Sequence, residues 1–475
     1  MSGWASAGEP RGPPDGAAGR SSAGGHAGRE GLGRLFGTDG VRGLANEELT
    51  VELAVALGRA GATVLARRAG HPPKLLVARD PRRSGALLES ALAAGAMSVG
   101  AGVLRLGVAT TPCVAYLVRL LEVDAGVVIS ASHNPAAYNG IKFFSHDGYK
   151  LPDALEDEIA ALVVGGGFES RHDAVGMASD RSGALVRYVD QVAAIAGDLS
   201  GLRVVMDCAN GAAYQLGPAA LRQAGARVEA IAASPDGWNI NEGCGALHPE
   251  ALAREVVARK ADLGLAFDGD ADRLIAVDEA GGTVDGDGLM AVIGSDLLAR
   301  GALPGNTVVG TVMSNLGLEL CLRARGGRLL RTRVGDRYVL EAMRRGGYGL
   351  GGEQSGHIIL LEHHTTGDGL VTAAVLAGLL HRSGQRLSEA AGVVPRLPQV
   401  LRNVRVDDPG GLEGNAAIAA VVMEAERALG ERGRVLVRPS GTEPLVRVMV
   451  EGEDEGTVGR AVEAIAAVVA AELGV

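Results

Sequence analysis

A chain of 475 residues that is 47% hydrophobic but only 3% aromatic has room for several domains of roughly 100–200 residues, with cores built from Ala, Val, Leu and Ile. Its formal charge of −10 argues against nucleic acid or an anionic membrane as the main partner, while leaving room for a local basic pocket that takes a small anion. No apolar run approaches the roughly 20 residues of a membrane span. Cys113, Cys208, Cys244 and Cys321 are far apart with no C-x-x-C pair, which points to a reducing cytosol rather than a disulfide framework or thiolate metal site.

Residues 1–33 are rich in Gly, Ala, Ser, Pro and Arg. They lack the 7–15-residue apolar stretch of a secretory signal, and read as a disordered leader or an upstream start. From about Leu35, apolar strands alternate with helical patterns, which predicts α/β architecture with mixed or parallel sheets. Phe36-Gly-Thr-Asp-Gly-Val-Arg42-Gly43 is a Gly-rich loop with Arg42 as a candidate phosphoryl contact. A helix is expected over 50–69, a buried strand over 74–79 and a helix over 85–100. The strand 124–130 then delivers Ser130-Ala-Ser132-His133-Asn134-Pro135 to a turn. Asn and Pro suit such a turn for backbone reasons alone, but a hydroxyl at a strand end is also where open α/β sheets place ligand chemistry. Ser130 and Ser132 compete as nucleophile, and Ser132, at the turn itself, is the better placed. Lys142 follows in Asn139-Gly-Ile-Lys142-Phe-Phe; only four of the 46 basic residues are lysine, Lys74, Lys142, Lys150 and Lys260. That scarcity draws attention to them, because lysine can release a proton in a protein and arginine cannot.

The pattern restarts with a strand at 202–207 and reaches another at 262–267, whose end presents Asp268-Gly-Asp270-Ala-Asp272-Arg273. Three alternate carboxylates offer the oxygen ligands that magnesium prefers. Three other readings compete, the plainest being a solvated acidic turn. A calcium EF-hand would use Glu279 as its twelfth ligand, but Arg273 replaces the turn glycine and the flanks look like strands. A haloacid-dehalogenase-type phosphatase would use Asp268 as nucleophile, but Asp272 departs from that motif's final Thr or Val. A phosphoserine carries about two negative charges and can sit beside three aspartates only with a cation between them, so the serine and aspartate motifs explain each other.

A third cycle has a helix at 286–300 and a strand at 306–312. Within it Arg333-Val-Gly-Asp336-Arg-Tyr338 is a candidate site loop, and Gly352-Glu353-Gln354-Ser355-Gly356-His357 could bind paired sugar hydroxyls through Glu353 and Ser355. After the Pro-containing stretch near 395–400, strands at 401–406, 434–438 and 445–451 form a small terminal unit. Its Arg438-Pro-Ser440-Gly441-Thr442-Glu-Pro-Leu-Val-Arg447 supplies guanidinium, hydroxyl and backbone N–H donors for a phosphate.

These motifs, in this order and with Asn239-Ile-Asn-Glu-Gly-Cys-Gly245, resemble the α-D-phosphohexomutase family from about Leu35 to the C-terminus. The likeness is strongest to its amino-sugar branch; Gln354 stands where the mannose- and glucose-phosphate branch commonly has methionine. The resemblance implies three similar α/β domains with mixed sheets (34–180, 181–282, 283–394) and a smaller C-terminal α+β domain (395–475) around a central cleft. It implies Ser132 as the phosphoserine, one Mg2+ held by Asp268, Asp270, Asp272 and the Ser132 phosphate, and Lys142, His133, His357, Arg42 and Arg273 as catalytic groups. Glu353 and Ser355 would read the sugar, and Arg438, Ser440, Gly441, Thr442 and Arg447 would hold the non-reacting phosphate. The implied reaction is reversible conversion of glucosamine 6-phosphate to glucosamine 1-phosphate in the cytoplasm, with glucosamine 1,6-bisphosphate as intermediate and activator. The alternative is a mannose- or glucose-phosphate mutase activity. The resemblance gives no role to nucleic acid or membrane and is compatible with a homodimer. Ala136-Ala137, where a more polar or aromatic pair is common, and the leader are the departures.

Overall fold

The computed structural model describes residues 35–37, 39–168, 172–440 and 444–474. The expected leader, 1–33, and the candidate phosphate ligands Gly441 and Thr442 lie outside the described residues. Four sheets follow one another along the chain. The first runs, edge to edge, Val41–Leu44, Tyr138–Ser145, Ala125–Ile129, Lys74–Arg79, Gly102–Val108 and Ala178–Asp180. The second runs Thr283–Val284, Leu274–Val277, Leu263–Phe267, Arg203–Asp207 and Arg227–Ile231. Arg328–Thr332, Thr307–Thr311, Leu350–Gly352 and Ile358–Leu360 make the third, and Gln399–Arg405, Leu445–Gly452 and Gly433–Pro439 the fourth.

The first three sheets share a plan. Each has parallel strands joined by helical crossovers, then a hairpin in which the chain turns back antiparallel, and in the second sheet Leu274–Val277 turns back once more onto Thr283–Val284. Those hairpins are Ala125–Ile129 with Tyr138–Ser145, Leu263–Phe267 with Leu274–Val277, and Leu350–Gly352 with Ile358–Leu360. Their connections carry the serine, aspartate and Gly-Glu-Gln-Ser-Gly motifs. The fourth, wholly antiparallel sheet puts the Arg438–Arg447 motif in the hairpin between Gly433–Pro439 and Leu445–Gly452. In the first three sheets the motif residues therefore follow buried strands, where backbone pairing fixes their starting points.

Small residues build the core, as the low aromatic content demands. Helices Val51–Ala69 and Gly85–Ser98 cross so closely that a methyl group at Gly58 would lie 2.1 Å from the Leu92 carbonyl oxygen, and one at Gly95 2.2 Å from that of Val55. The first helix is capped by the Thr50 hydroxyl, which accepts from Leu53 N–H, and ends at Gly70 in the left-handed region. One apolar core runs continuously from Val114 through Tyr188 and Met206 to Leu289 and Leu376, welding the first three sheets together. Val406, Ile418, Val446, Val448, Val450 and Ile465 make a separate core under the fourth. Among the described residues no helix is long and apolar enough to cross a membrane.

Candidate active site

Strand Ala125–Ile129 is buried throughout and ends in the turn that presents Ser132. The Ser132 backbone has φ 51°, a left-handed conformation that costs a non-glycine residue energy and persists only where surroundings impose it. The turn is held on every side. Ser132 N–H donates to Ser130 Oγ at 3.0 Å, and the Ser130 hydroxyl donates to Asp80 Oδ2 at 2.6 Å. Both serines are buried but differ in their partners: the Ser130 hydroxyl is engaged at both ends, whereas Ser132 Oγ points to the aspartates.

Ser132 Oγ donates to Asp268 Oδ2 at 2.6 Å. One carboxylate oxygen from each of Asp268, Asp270 and Asp272 lies within 4.8 Å of the others, and all three residues are buried. They occupy the connection of a strand hairpin, not an interhelical loop, and Glu279 turns away to accept from the Ser388 hydroxyl. The EF-hand reading therefore fails. Gly269 is required by close approach, since a methyl there would meet the Ser132 carbonyl oxygen at 2.5 Å. Asp270 Oδ1 and Asp272 Oδ1 are buried with no hydrogen-bond partner among the described residues. Hard oxygen donors left unsatisfied and clustered in this way suit a divalent cation. Burial first, then the charges of Asp272 and Asp270, push the Asp268 carboxyl well above its usual range.

Cations surround this acidic nest. Lys142, buried on Tyr138–Ser145, lies 3.0 Å from Asp270 Oδ2 and 2.9 Å from Asp39 Oδ2. Burial opposes its charge, but Asp270 and Asp39 outweigh burial and hold the ammonium protonated beyond its ordinary range. Arg42 pairs with Asp39, and Arg273 Nε lies 3.9 Å from Asp272 Oδ1. His357 has Nδ1 3.5 Å from Asp272 and Nε2 3.7 Å from Asp336. Burial lowers its pKa, but these carboxylates, Asp272 first, bring it up to about 9. His133 behaves oppositely. Its Nδ1 is 3.4 Å from Ser132 Oγ, and burial, then Arg273 and Arg42, lower its pKa to about 4. The surroundings thus disfavour the charged form of the imidazole beside the hydroxyl and favour it for the imidazole beside the aspartates.

Glu353 Oε1 accepts from Gly335 N–H at 3.0 Å, which links the Gly-Glu-Gln-Ser-Gly loop to the Arg333–Tyr338 loop. Leu274 N–H donates to the Gly356 carbonyl at 3.0 Å and joins the same loop to the strand after the aspartates. Ser355 is exposed. Arg438 and Arg447 are cross-strand partners on the fourth sheet, and Ser440 Oγ is buried with no partner among the described residues. Among the described residues, no hydrogen bond or ion pair of Arg438 or Ser440 reaches the Ser132–Asp268 centre.

Matches to four family models tile this architecture. Phosphoglucomutase/phosphomannomutase alpha/beta/alpha domain I matches residues 33–169, domain II 186–282, domain III 285–397, and the C-terminal domain 401–468. The chain belongs to the phosphoglucomutase/phosphomannomutase family. Among relatives of this phosphohexomutase, a phosphoglucosamine mutase of Symbiobacterium thermophilum is 54% identical over 449 residues, covering 93% of this chain and 99% of its own. One from Moorella thermoacetica is 55% identical over 427 residues, covering 89% and 96%. A solved phosphoglucomutase/phosphomannomutase family protein of Burkholderia thailandensis aligns with a TM-score of 0.77 at 25% identity, covering 93% of this chain and 98% of its own.

The geometry adds residues that sequence reasoning missed. Thr111 donates from Oγ1 to Asp270 Oδ2 at 2.6 Å and from its N–H to the Asp270 carbonyl at 3.0 Å. Lys150 bridges Asp39 at 2.7 Å and Asp336 at 2.6 Å, so a chain of charges runs from Asp336 to Asp270 through two of the four lysines. Lysine scarcity was the signal for Lys150; Thr111 had none.

Proposed function

We propose that this phosphohexomutase is a phosphoglucosamine mutase, interconverting glucosamine 6-phosphate and glucosamine 1-phosphate and so feeding UDP-N-acetylglucosamine synthesis. The observation that carries the reading is the Ser132 hydroxyl bonded at 2.6 Å to one of three clustered, buried aspartates. The mutases named for that substrate, more than half identical along nearly all of this chain, support the choice of sugar.

Phosphorylated Ser132 donates its phosphoryl group to the free 1-hydroxyl. A new bond forms from the sugar oxygen to phosphorus as the Ser132 Oγ–P bond breaks, giving glucosamine 1,6-bisphosphate. The intermediate turns end for end, and its 6-phosphate returns a phosphoryl group to Ser132 Oγ. Asp268, Asp270 and Asp272, with the Ser132 phosphate, are the residues that would hold one Mg2+. A magnesium ion there supplies neutralising charge to the phosphoryl group in transfer. His133, neutral beside Ser132 Oγ, is able to take a proton. Lys142 and His357, held protonated, give one or offset phosphoryl charge together with Arg42 and Arg273.

Glu353 and Ser355 bind paired sugar hydroxyls in either orientation of the intermediate. Arg438, Ser440, Gly441, Thr442 and Arg447 hold the phosphate that is not reacting. The reading divides the chain into 34–180, 181–282, 283–394 and 395–475, each lending one hairpin loop to a shared cleft; the four sheets support that division. The terminal domain moves to let the intermediate turn. The enzyme acts in the cytoplasm, where its four free, buried cysteines stay reduced.

Phosphorus NMR of the enzyme with glucosamine 6-phosphate, Mg2+ and catalytic glucosamine 1,6-bisphosphate tests this. The 6-phosphate resonance should give way to a mixture with the 1-phosphate, with inorganic phosphate appearing only as a slow leak. Steady phosphate release, or clear preference for mannose 6-phosphate, would overturn the assignment.

A further inference from the structure

Arg82 is 1% exposed, at the end of the strand beside the one that carries Ser132. A buried guanidinium is unfavourable unless it is paired and its donors are used. Here Nε donates to Asp80 Oδ2 at 2.8 Å, and the two terminal nitrogens donate to four backbone carbonyls: Ser132 at 2.9 Å, Asn134 at 2.8 Å, Tyr138 at 3.1 Å, and Pro135. Those carbonyls span the turn from the nucleophile to the next strand. From the second sheet's side, the Asn241 amide donates to two of the same carbonyls, Ser132 at 2.9 Å and Asn134 at 3.1 Å. Asp80 meanwhile takes the Ser130 hydroxyl that receives Ser132 N–H. Both backbone polar groups of the strained serine are therefore fixed, and its side-chain oxygen alone is left for chemistry.

The physical consequence follows from the strain. A serine at φ 51° relaxes toward an extended or helical conformation when its backbone partners are lost, and relaxation swings Oγ off the aspartates. Neither Arg82 nor Asn241 has a bond to Ser132 Oγ or to the triad carboxylates. Lysine is no substitute at 82, because its three donors on a point charge cannot serve a carboxylate and four dispersed carbonyls together. We propose that Arg82, with Asn241 as its counterpart across the site, is the positioning residue that imposes the strained turn and thereby sets the nucleophile against the aspartates. The proposal rests on the mutase reading above for its catalytic consequence.

The test uses the full chain with Arg82→Lys and, separately, Asn241→Gly, which keeps the left-handed backbone without strain. Four quantities are read: Tm, kcat and KM per mole of folded enzyme on whichever hexose 6-phosphate the unaltered enzyme turns over, and amide hydrogen exchange across residues 130–138. Misplacing a reacting atom by about 1 Å can cost ~100-fold, so Arg82→Lys should lower kcat about 100-fold and Asn241→Gly about 10-fold. KM should stay within about 3-fold in both, a split expected when positioning rather than ground-state binding is lost. Exchange across 130–138 should quicken while the fourth sheet keeps its protection. A purely structural role would lower Tm yet leave kcat per folded molecule and the turn's exchange unchanged, and that result overturns the proposal. If Arg82→Lys does not fold, Asn241→Gly decides alone. Failure of the mutase reading shows separately, as an unaltered enzyme inactive on every hexose phosphate, and the exchange comparison then still confirms or refutes the clamp.

Discussion

The Ser132–aspartate centre and the Arg438–Arg447 hairpin occupy equivalent places, each a connection between antiparallel strands at a sheet end, yet they are built oppositely. The first is buried and tied by Arg82, Asn241, Thr111 and Lys142, residues drawn from two sheets around one continuous core. The second stands on a sheet with its own core, its two arginines side by side. Burial, then the neighbouring Arg447, lower the Arg438 pKa. Crowded carboxylates at the first suit a cation, and the second carries two arginines on neighbouring strands. The contrast is between a centre whose geometry the surrounding fold fixes and a hairpin that stands on a separate core.

Four perturbations break or sharpen that contrast. The largest is Ser132→Ala, which removes the group proposed to carry the phosphoryl and should cut turnover by about 10⁴-fold or more, to background. Its Tm should barely move, because one hydrogen bond of about 1 kcal/mol is lost; a coupled assay and a melting curve check both. Next is Asp268→Asn, expected to cost about 10²–10³-fold in kcat as an electrostatic element of the centre. Without metal its Tm should rise, since one of three crowded carboxylates is gone, and added Mg2+ should no longer stabilise it. Full Mg2+ stabilisation in this variant would remove Asp268 from the ion site.

Arg438→Ala probes the other end. It should raise KM about 10–100-fold, the worth of one or two charged hydrogen bonds to phosphate, and leave kcat and Tm nearly alone. Equal loss in kcat would erase the division between the two regions.

The smallest effect concerns Asp368, which caps helix Gly369–Ser383 and accepts the Tyr188 hydroxyl of helix Leu185–Ala196 at 2.8 Å. Burial raises its pKa from 3.8 to about 7. The folded state therefore holds a proton that the unfolded state has released between these values, and stability is lost as pH rises through that window. Asp368→Asn should gain Tm relative to the unaltered protein between pH 4 and pH 8. Parallel melting temperatures across that range would show that the carboxyl is ionised in the fold.

Much of this was legible from residue order. The strand expected at 74–79 is Lys74–Arg79, and the helix expected at 50–69 is Val51–Ala69, because clear apolar periods and terminal signals coincide there. The strand expected at 124–130 is shorter, Ala125–Ile129, since Ser130 already serves the turn. The aspartates and Ser132 stood out because chemistry dictates residue type. What escaped was the support. Arg82 follows its strand as Ser132 follows the neighbouring one, yet nothing in Asp80-Pro-Arg82 says that the guanidinium turns inward to backbone carbonyls some 50 residues on. Asn241 looks like a turn residue and is one, at φ 60°, while its amide reaches the first sheet's turn. Contacts to main-chain groups leave no complementary side chain to read, so a sequence does not announce them.

Calorimetric titration of Mg2+ into the Ser132-phosphorylated and dephosphorylated forms tests the central claim most directly. If the phosphate on Ser132 and the three aspartates grip one ion, phosphorylation should tighten binding by at least about tenfold, or ~1.4 kcal/mol, and Asp270→Asn should weaken it in both forms. Equal Mg2+ affinity with and without the phosphate would contradict it.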